Sequence, residues 1–111
     1  MNYDITRLTN GISGWEDRKV GHFIDLHQYP GPGMEPPSQN EGRAVVLGEF
    51  GGYGLPVENH MWNQSKKNWG YRVSETLESY IKDYNEVIYN LHGERARGLA
   101  AAIYTQTSDV E

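Results

Sequence analysis

The sequence predicts an α/β fold built on a parallel sheet. Three mostly apolar runs, residues 21–29, 43–50 and 99–106, read as strands, and the first two stop at Pro or Gly. Residues 7–12 form a weaker fourth candidate. Strands that are apolar on nearly every position are typical of a sheet covered on both faces, which favours parallel strands. One helical pattern lies between the second and third runs, so the chain from 43 to 106 predicts a βαβ unit.

The predicted helix spans residues 74–97. Its apolar positions recur at steps of three and four, the spacing that places side chains on one helix face: Leu77, Ile81, Tyr84, Val87, Ile88 and Leu91. Ser74 is suited to the N-cap, and Gly98 to the position after the last turn. Residues 51–73 between strand and helix show no regular pattern. Loops of that length are often functional.

Composition excludes several classes of function. The chain has 111 residues, the size of one small domain, and its net charge of −5 disfavours nucleic acid as a partner. It has no cysteine, hence neither disulfides nor a cysteine metal site. No run approaches the roughly 20 apolar residues of a membrane span, and the first residues lack the apolar core of a signal peptide. Localisation stays open.

Polar side chains stand at the end of each predicted strand. Because side chains alternate along a strand, three sets are each expected to share a face: Asp25, His27 and Tyr29; Val45, Leu47 and Glu49; Ala100, Ala102, Tyr104 and Gln106. Each set ends with a polar or ionisable group at the carboxyl end of its strand. This arrangement predicts a site where the carboxyl ends of the strands meet.

Glu49 is the strongest single candidate in that site. It follows an apolar strand and precedes Phe50 and two glycines, which leave room for a ligand. The residues alone leave alternatives open: a solvated glutamate at a strand end, a hydrogen-bond network of the neighbouring polar groups, or a metal site. The metal site would use His22, Asp25 and His27, but no second ligand cluster supports it. The tryptophans are either packing residues or a sugar-binding surface.

Five ordered blocks carry a resemblance to a known family. They are NGISGW (10–15), IDLHQYPGPG (24–33), VVLGEFGGYGLP (45–56), KNWGYR (67–72) and YTQTSDVE (104–111). Together they resemble the catalytic barrel of family 2 glycoside hydrolases, the β-galactosidase/β-glucuronidase superfamily. The resemblance implies that residues 1–111 are the C-terminal half of that barrel, a partial (β/α)₈ TIM barrel holding approximately strands five to eight.

The same resemblance implies a retaining glycosidase. Glu49 would be the nucleophile, and Tyr29 would lie within hydrogen-bond reach and orient it. The substrate would be a carbohydrate, with no cofactor and no metal. The expected substrate-binding residues are Asp25, His27, Trp15, Trp62, Trp69, Tyr104 and Gln106, although Tyr104 stands near where relatives have a sugar-stacking tryptophan.

The acid/base glutamate of such an enzyme has no counterpart here. In the family it follows an asparagine at a strand end, whereas Asn40-Glu41 lies in a Pro-rich loop and Asn85-Glu86 inside the predicted helix. The isolated chain is therefore expected to be nearly inert. Its predicted barrel interior is expected to be exposed and to pair with the missing N-terminal half or a second copy: Val45, Leu47, Ala100 and Ala102. A non-catalytic carbohydrate-binding or interaction fragment is the alternative, and a metal-dependent hydrolase a weaker one.

Overall fold

Within the residues that the structure describes, the fold consists of two small parallel sheets and one helix. The computed structural model describes residues 4–34, 42–66, 70–106 and 108. Its elements are β1 (Phe23–Gln28), β2 (Ala44–Gly51), β3 (Tyr53–Gly54), β4 (Arg72–Val73), α1 (Leu77–Ala96) and β5 (Leu99–Thr105). The main sheet has the order β1-β2-β5 with all strands parallel, and β3 pairs with β4 in the second. The predicted βαβ unit is present as β2, α1 and β5.

The predicted partial (β/α)₈ barrel with strands five to eight is wrong. The main sheet has three strands, not four, and α1 is the one helix within the described residues. Residues 7–12, expected as a fourth strand, contribute a single antiparallel bridge from Asn10 to Gly21. The reason is compositional: Leu8 and Ile12 are the apolar residues of this segment, and Leu8 is exposed. Such a segment has too little apolar surface to complete a buried sheet.

The core lies between the main sheet and α1. Its buried members come from the strands, the helix and the loop after β1: Val45, Leu47, Phe50, Val87, Leu99 and Met34. Val45 and Leu47 were expected to be an exposed barrel interior, and this is a second correction, because both are buried against the helix side. Of the other two predicted interior residues, Ala102 is half-buried beside this core and Ala100 is exposed.

The N-cap of the helix lies two residues later than predicted. Thr76 is the N-cap, and it forms a reciprocal capping box with Ser79. Ser74 is instead buried, and its hydroxyl donates to the Asp83 carboxylate over 3.4 Å. Arg72 also pairs with Asp83 at 3.0 Å, so these contacts fasten β4 to α1. No helix within the described ranges has the length and apolarity needed to cross a membrane.

A β-bulge at Gly48 decides which face carries Glu49. Leu26 pairs with Leu47, but the next residue of β1, His27, pairs with Glu49, so Gly48 is skipped. One extra residue reverses the alternation of side chains. The expected shared face of Val45, Leu47 and Glu49 is therefore wrong. Glu49 lies opposite the core, on the face of His27.

Candidate functional site

The site is centred on the Glu49 carboxylate at the carboxyl ends of the main strands. The Tyr29 hydroxyl, just beyond β1, donates a hydrogen bond to Glu49 Oε2 over 2.5 Å. The Thr105 hydroxyl, at the end of β5, lies 2.9 Å from the same phenol oxygen. A phenol has one proton, and an ionised carboxylate only accepts, so Thr105 is the donor of the second bond. Hydrogen bonds thus link Thr105, Tyr29 and Glu49, which come from the ends of three strands.

Tyr29 remains a donor over the whole physiological range. Burial, followed by the hydrogen bond to Glu49, raises the pKa of Tyr29 to about 12. Both causes disfavour the phenolate, since burial penalises charge and a neighbouring carboxylate repels it. The Tyr29 hydroxyl that donates to Glu49 Oε2 therefore keeps its proton at neutral pH.

His27 approaches Glu49 from the neighbouring strand. Its Nδ1 lies 3.4 Å from Glu49 Oε2, and its Nε2 lies 3.3 Å from Ser13 Oγ and 3.8 Å from Asp25 Oδ1. The Asn10 side-chain amide donates to the other Asp25 oxygen over 2.5 Å. The His27 side chain is only 5% exposed. Because it is buried, His27 is better placed to stabilise the Glu49 carboxylate than to contact a ligand directly.

The segment before β1 closes over His27. Gly14 has a left-handed φ of 62°, and a Cβ there would overlap the His27 ring, so the close approach requires glycine. The next residue, Trp15, meets the imidazole edge-on, with ring centroids 5.6 Å apart. The indole itself is 75% exposed. Trp15 therefore forms an open aromatic rim beside a covered histidine.

The aromatic ring of Tyr71 covers Tyr29. Tyr71 stacks on it with centroids 3.9 Å apart and planes 11° from parallel. Two main-chain hydrogen bonds hold the residues that follow Phe50: Gly51 N–H donates to the Pro30 carbonyl and Gly52 N–H to the Thr105 carbonyl, each over 2.8 Å. Backbone atoms thereby hold Gly51 and Gly52 beside the ends of the neighbouring strands.

The two oxygens of Glu49 have different surroundings. Oε2 has Tyr29 and His27 beside it, whereas Oε1 accepts no hydrogen bond from the residues that the structure describes. The side chain is 43% exposed. A carboxylate fixed through one oxygen and open at the other is equipped to act as a nucleophile or a general base.

The described residues do not assemble a metal site. They contain no group of three or more His, Asp or Glu placed to hold an ion. Of the residues in the metal hypothesis, His22 is engaged elsewhere, since its Nδ1 accepts the Thr9 N–H over 2.9 Å. Asp25 and His27 lie together, but with Asn10 and Ser13 as their partners.

The predicted site residues divide into two groups. The structure brings Asp25, His27, Tyr29 and Glu49 together, with Trp15 at the rim. Tyr104, expected to contact a sugar, instead packs edge-on against Phe50 and Tyr84 on the core side. The remaining candidates contribute no described contact to the site: Trp62 is 92% exposed, Gln106 is exposed after β5, and Trp69 lies outside the described residues.

Asn-Glu pairs occur at two places in the chain. Asn85-Glu86 lies inside α1, as predicted, and Asn40-Glu41 lies outside the described residues. Four residues of the site were not predicted: Asn10, Ser13, Tyr71 and Thr105. Strand alternation could have indicated Thr105, because it must face away from its neighbour Tyr104. The other three lie outside the named strands, where no alternation of side chains applies.

The chain matches no family model, and no curated protein matches it at a significant level. The features that bear on function are therefore those of the site itself. They are the half-exposed Glu49 carboxylate, the Tyr29 hydroxyl with its pKa raised to about 12, and the exposed Trp15 indole.

Proposed function

We propose that this chain carries the nucleophile of a retaining glycoside hydrolase, with Glu49 in that role and a carbohydrate as substrate. The observation that carries the proposal is the asymmetry of the carboxylate. Tyr29 holds Oε2 at 2.5 Å, while Oε1 is left open on a half-exposed side chain. The sequence resemblance to family 2 glycoside hydrolases supports the same residue in the same role.

In this reaction Glu49 Oε1 attacks the anomeric carbon of the sugar. The bond from that carbon to the leaving oxygen breaks with its electron pair, and a covalent glycosyl ester forms on Glu49. Water later cleaves the ester and restores the carboxylate. Tyr29 stabilises the charged nucleophile and directs the attack to the opposite oxygen, because Oε2 is occupied by its hydroxyl.

The acid/base partner is a second carboxylate about 5–5.5 Å from the nucleophile. Asp25 is the other carboxylate of the described site, but it is largely buried and bonded to Asn10, which makes it unsuited to meet a leaving group. We infer that a partner polypeptide supplies the acid/base group. Without it, the step that needs leaving-group protonation loses about 10²- to 10⁴-fold in rate.

The test uses a substrate that leaves without acid assistance. A panel of 2,4-dinitrophenyl 2-deoxy-2-fluoro-β-glycosides is incubated with the full chain, and covalent labelling is followed by intact mass and peptide mapping. We expect one fluorosugar to attach to Glu49 with stoichiometric release of dinitrophenolate. E49Q is the matched control and should remain unlabelled. Labelling of a different residue, or of none with any sugar of the panel, would contradict the proposal.

The exposed indole of Trp15 favours a second candidate, a carbohydrate-binding role without catalysis. An indole that is 75% exposed beside a polar cluster can stack on a sugar ring. In this case unreactive sugars would shift the Trp15 indole resonance in NMR titrations, and W15A would abolish the shifts. Binding of that kind without any labelling of Glu49 would select this role over the enzymatic one.

A further inference from the structure

Tyr71 is held against Tyr29 by the main chain as well as by the stacking of the rings. Its N–H donates to the Gly52 carbonyl over 3.0 Å, at the point where β4 joins β3. Gly52 in turn donates to the Thr105 carbonyl. One glycine therefore connects Tyr71 to the strand whose last side chain bonds the Tyr29 phenol.

The space for the stack depends on the same glycine. A Cβ at Gly52 would lie 2.6 Å from Tyr71 Cδ2 and 3.4 Å from Tyr29 Cδ1. The φ of Gly52 is 68°, in the left-handed region that favours glycine. Gly52 is thus required both by its backbone conformation and by the Tyr71 ring that closes over it.

We propose that Tyr71 is a positioning residue, whose stacked ring fixes the Tyr29 phenol and, through it, the orientation of the Glu49 carboxylate. Thr105 restrains the hydroxyl end of Tyr29, and Tyr71 restrains the face of its ring. The inference rests on the proposed function, because it takes Glu49 as the nucleophile. Tyr71 itself need not touch the reacting atoms.

The effect is expected on reactivity, not on ligand affinity. When the Tyr29 ring can tilt, its hydroxyl leaves the line to Oε2, and misplacement on the scale of an ångström costs up to about 100-fold in rate. Removal of the ring also exposes Tyr29 to water. Because burial is the largest cause of its raised pKa, the titration of Tyr29 reports the same event without any substrate.

The experiment compares Y71L, which removes the ring, with Y71F, which keeps it. The control is Y89L, a tyrosine on α1 that is 77% exposed. For Y71L we expect the maximal rate of labelling by the reactive fluoroglycoside to fall about 10- to 100-fold, with the half-saturating concentration unchanged. Y71F should stay within about twofold of the original chain, because it retains the stacked ring.

A second measurement separates the two proposals. Tyrosines labelled with ¹³C at Cζ are titrated by NMR, and the Tyr29 signal is assigned from its loss in Y29F. Its midpoint should lie at about 12 in the original chain and fall towards the ordinary 10 in Y71L alone. If the original chain is not labelled, the proposed function fails while this titration still decides the role of Tyr71.

Two outcomes would overturn the positioning role: an unchanged Tyr29 titration in folded Y71L, or an equal loss of labelling in Y71F. Folding is checked by circular dichroism and thermal melting. Should Y71L not fold, Y71H replaces it, since it keeps a planar but smaller ring. An intermediate fall in rate and midpoint is then expected, and the absence of both would contradict the proposal.

Discussion

The two faces of the main sheet are built from the same strands but have opposite character. On one face Val45, Leu47 and Phe50 are buried against the helix side in a dry core. On the other, His27 and Glu49 stand in a polar cluster reached by the segment before β1. The first face should determine stability and the second reactivity. The comparison shows how little separates them, because the Gly48 bulge alone moves Glu49 from one face to the other.

The largest expected effect comes from the core face. Leu47→Ala removes a fully buried side chain of the central strand and should lower the free energy of unfolding by about 2–5 kcal/mol, measured in urea. The folded fraction should still be labelled at Glu49. E49Q is the opposite case: labelling disappears, and the free energy of unfolding falls by no more than about 1.5 kcal/mol, because the glutamine amide oxygen can still accept the Tyr29 hydrogen bond. If E49Q were as destabilising as L47A, the two faces would not be functionally distinct.

Next in size is the loss of the phenol proton from the polar face. A hydrogen bond to a charged group contributes about 1.5–3 kcal/mol, so Tyr29→Phe should slow labelling of Glu49 by about 10- to 100-fold. Tyr104→Phe is the matched control, since that hydroxyl lies on the core side with Phe50 and Tyr84. Equal losses in the two variants would show that tyrosine hydroxyls act here through general stability.

The bulge itself can be tested at Gly48. A Cβ at this position would overlap the Asp25 carboxylate, so Gly48→Ala should cost about 1–3 kcal/mol of stability as the two groups separate. The same substitution in an Asp25→Ala background should cost less, because the obstructing side chain is gone. Additive effects in a double-mutant cycle measured by denaturation would instead place the strain in the backbone.

The smallest effect concerns the segment that covers the polar face. Arg43 donates to both oxygens of Asp17, over 2.8 and 2.7 Å, and these hydrogen bonds lower the pKa of Asp17 to about 2. A lowered pKa means that the stabilisation is complete above the ordinary value of 3.8 and is lost as the pH falls through about 2. Asp17→Asn should therefore melt slightly below the original chain at pH 6, and the difference should become smaller at pH 2. A melting difference of the same size at both pH values would exclude ion pairing as its cause.

Local pattern was sufficient to predict the main elements. Apolar runs gave β1, β2 and β5, and the helical spacing gave α1, since both patterns reflect burial of each residue's own side chain. The contact between Tyr29 and Glu49 was implied by the resemblance to family 2 glycoside hydrolases and not by local pattern, since regular alternation placed Glu49 on the core face. The main strands and the helix need only the spacing of apolar side chains.

Other features depend on contacts that a local pattern does not encode. The bulge at Gly48 is a change of register between two strands, and the sequence of β2 alone reads as regular alternation. Asn10 and Ser13 reach Asp25 and His27 from coil more than a dozen residues away. The barrel expectation came from the resemblance to family 2 glycoside hydrolases, and similar blocks of sequence do not determine whether a sheet closes.

The main-chain hydrogen bonds of Gly51 and Gly52 hold the backbone next to Glu49 independently of the side chains in the segment that follows. These bonds use only backbone atoms, and the residues that follow at 56–60 are all exposed. Substitution at 56–60 can thus alter the outer surface of the molecule while the carboxylate stays in place. For protein engineering, residues 56–60 are exposed positions at which new recognition elements can be introduced.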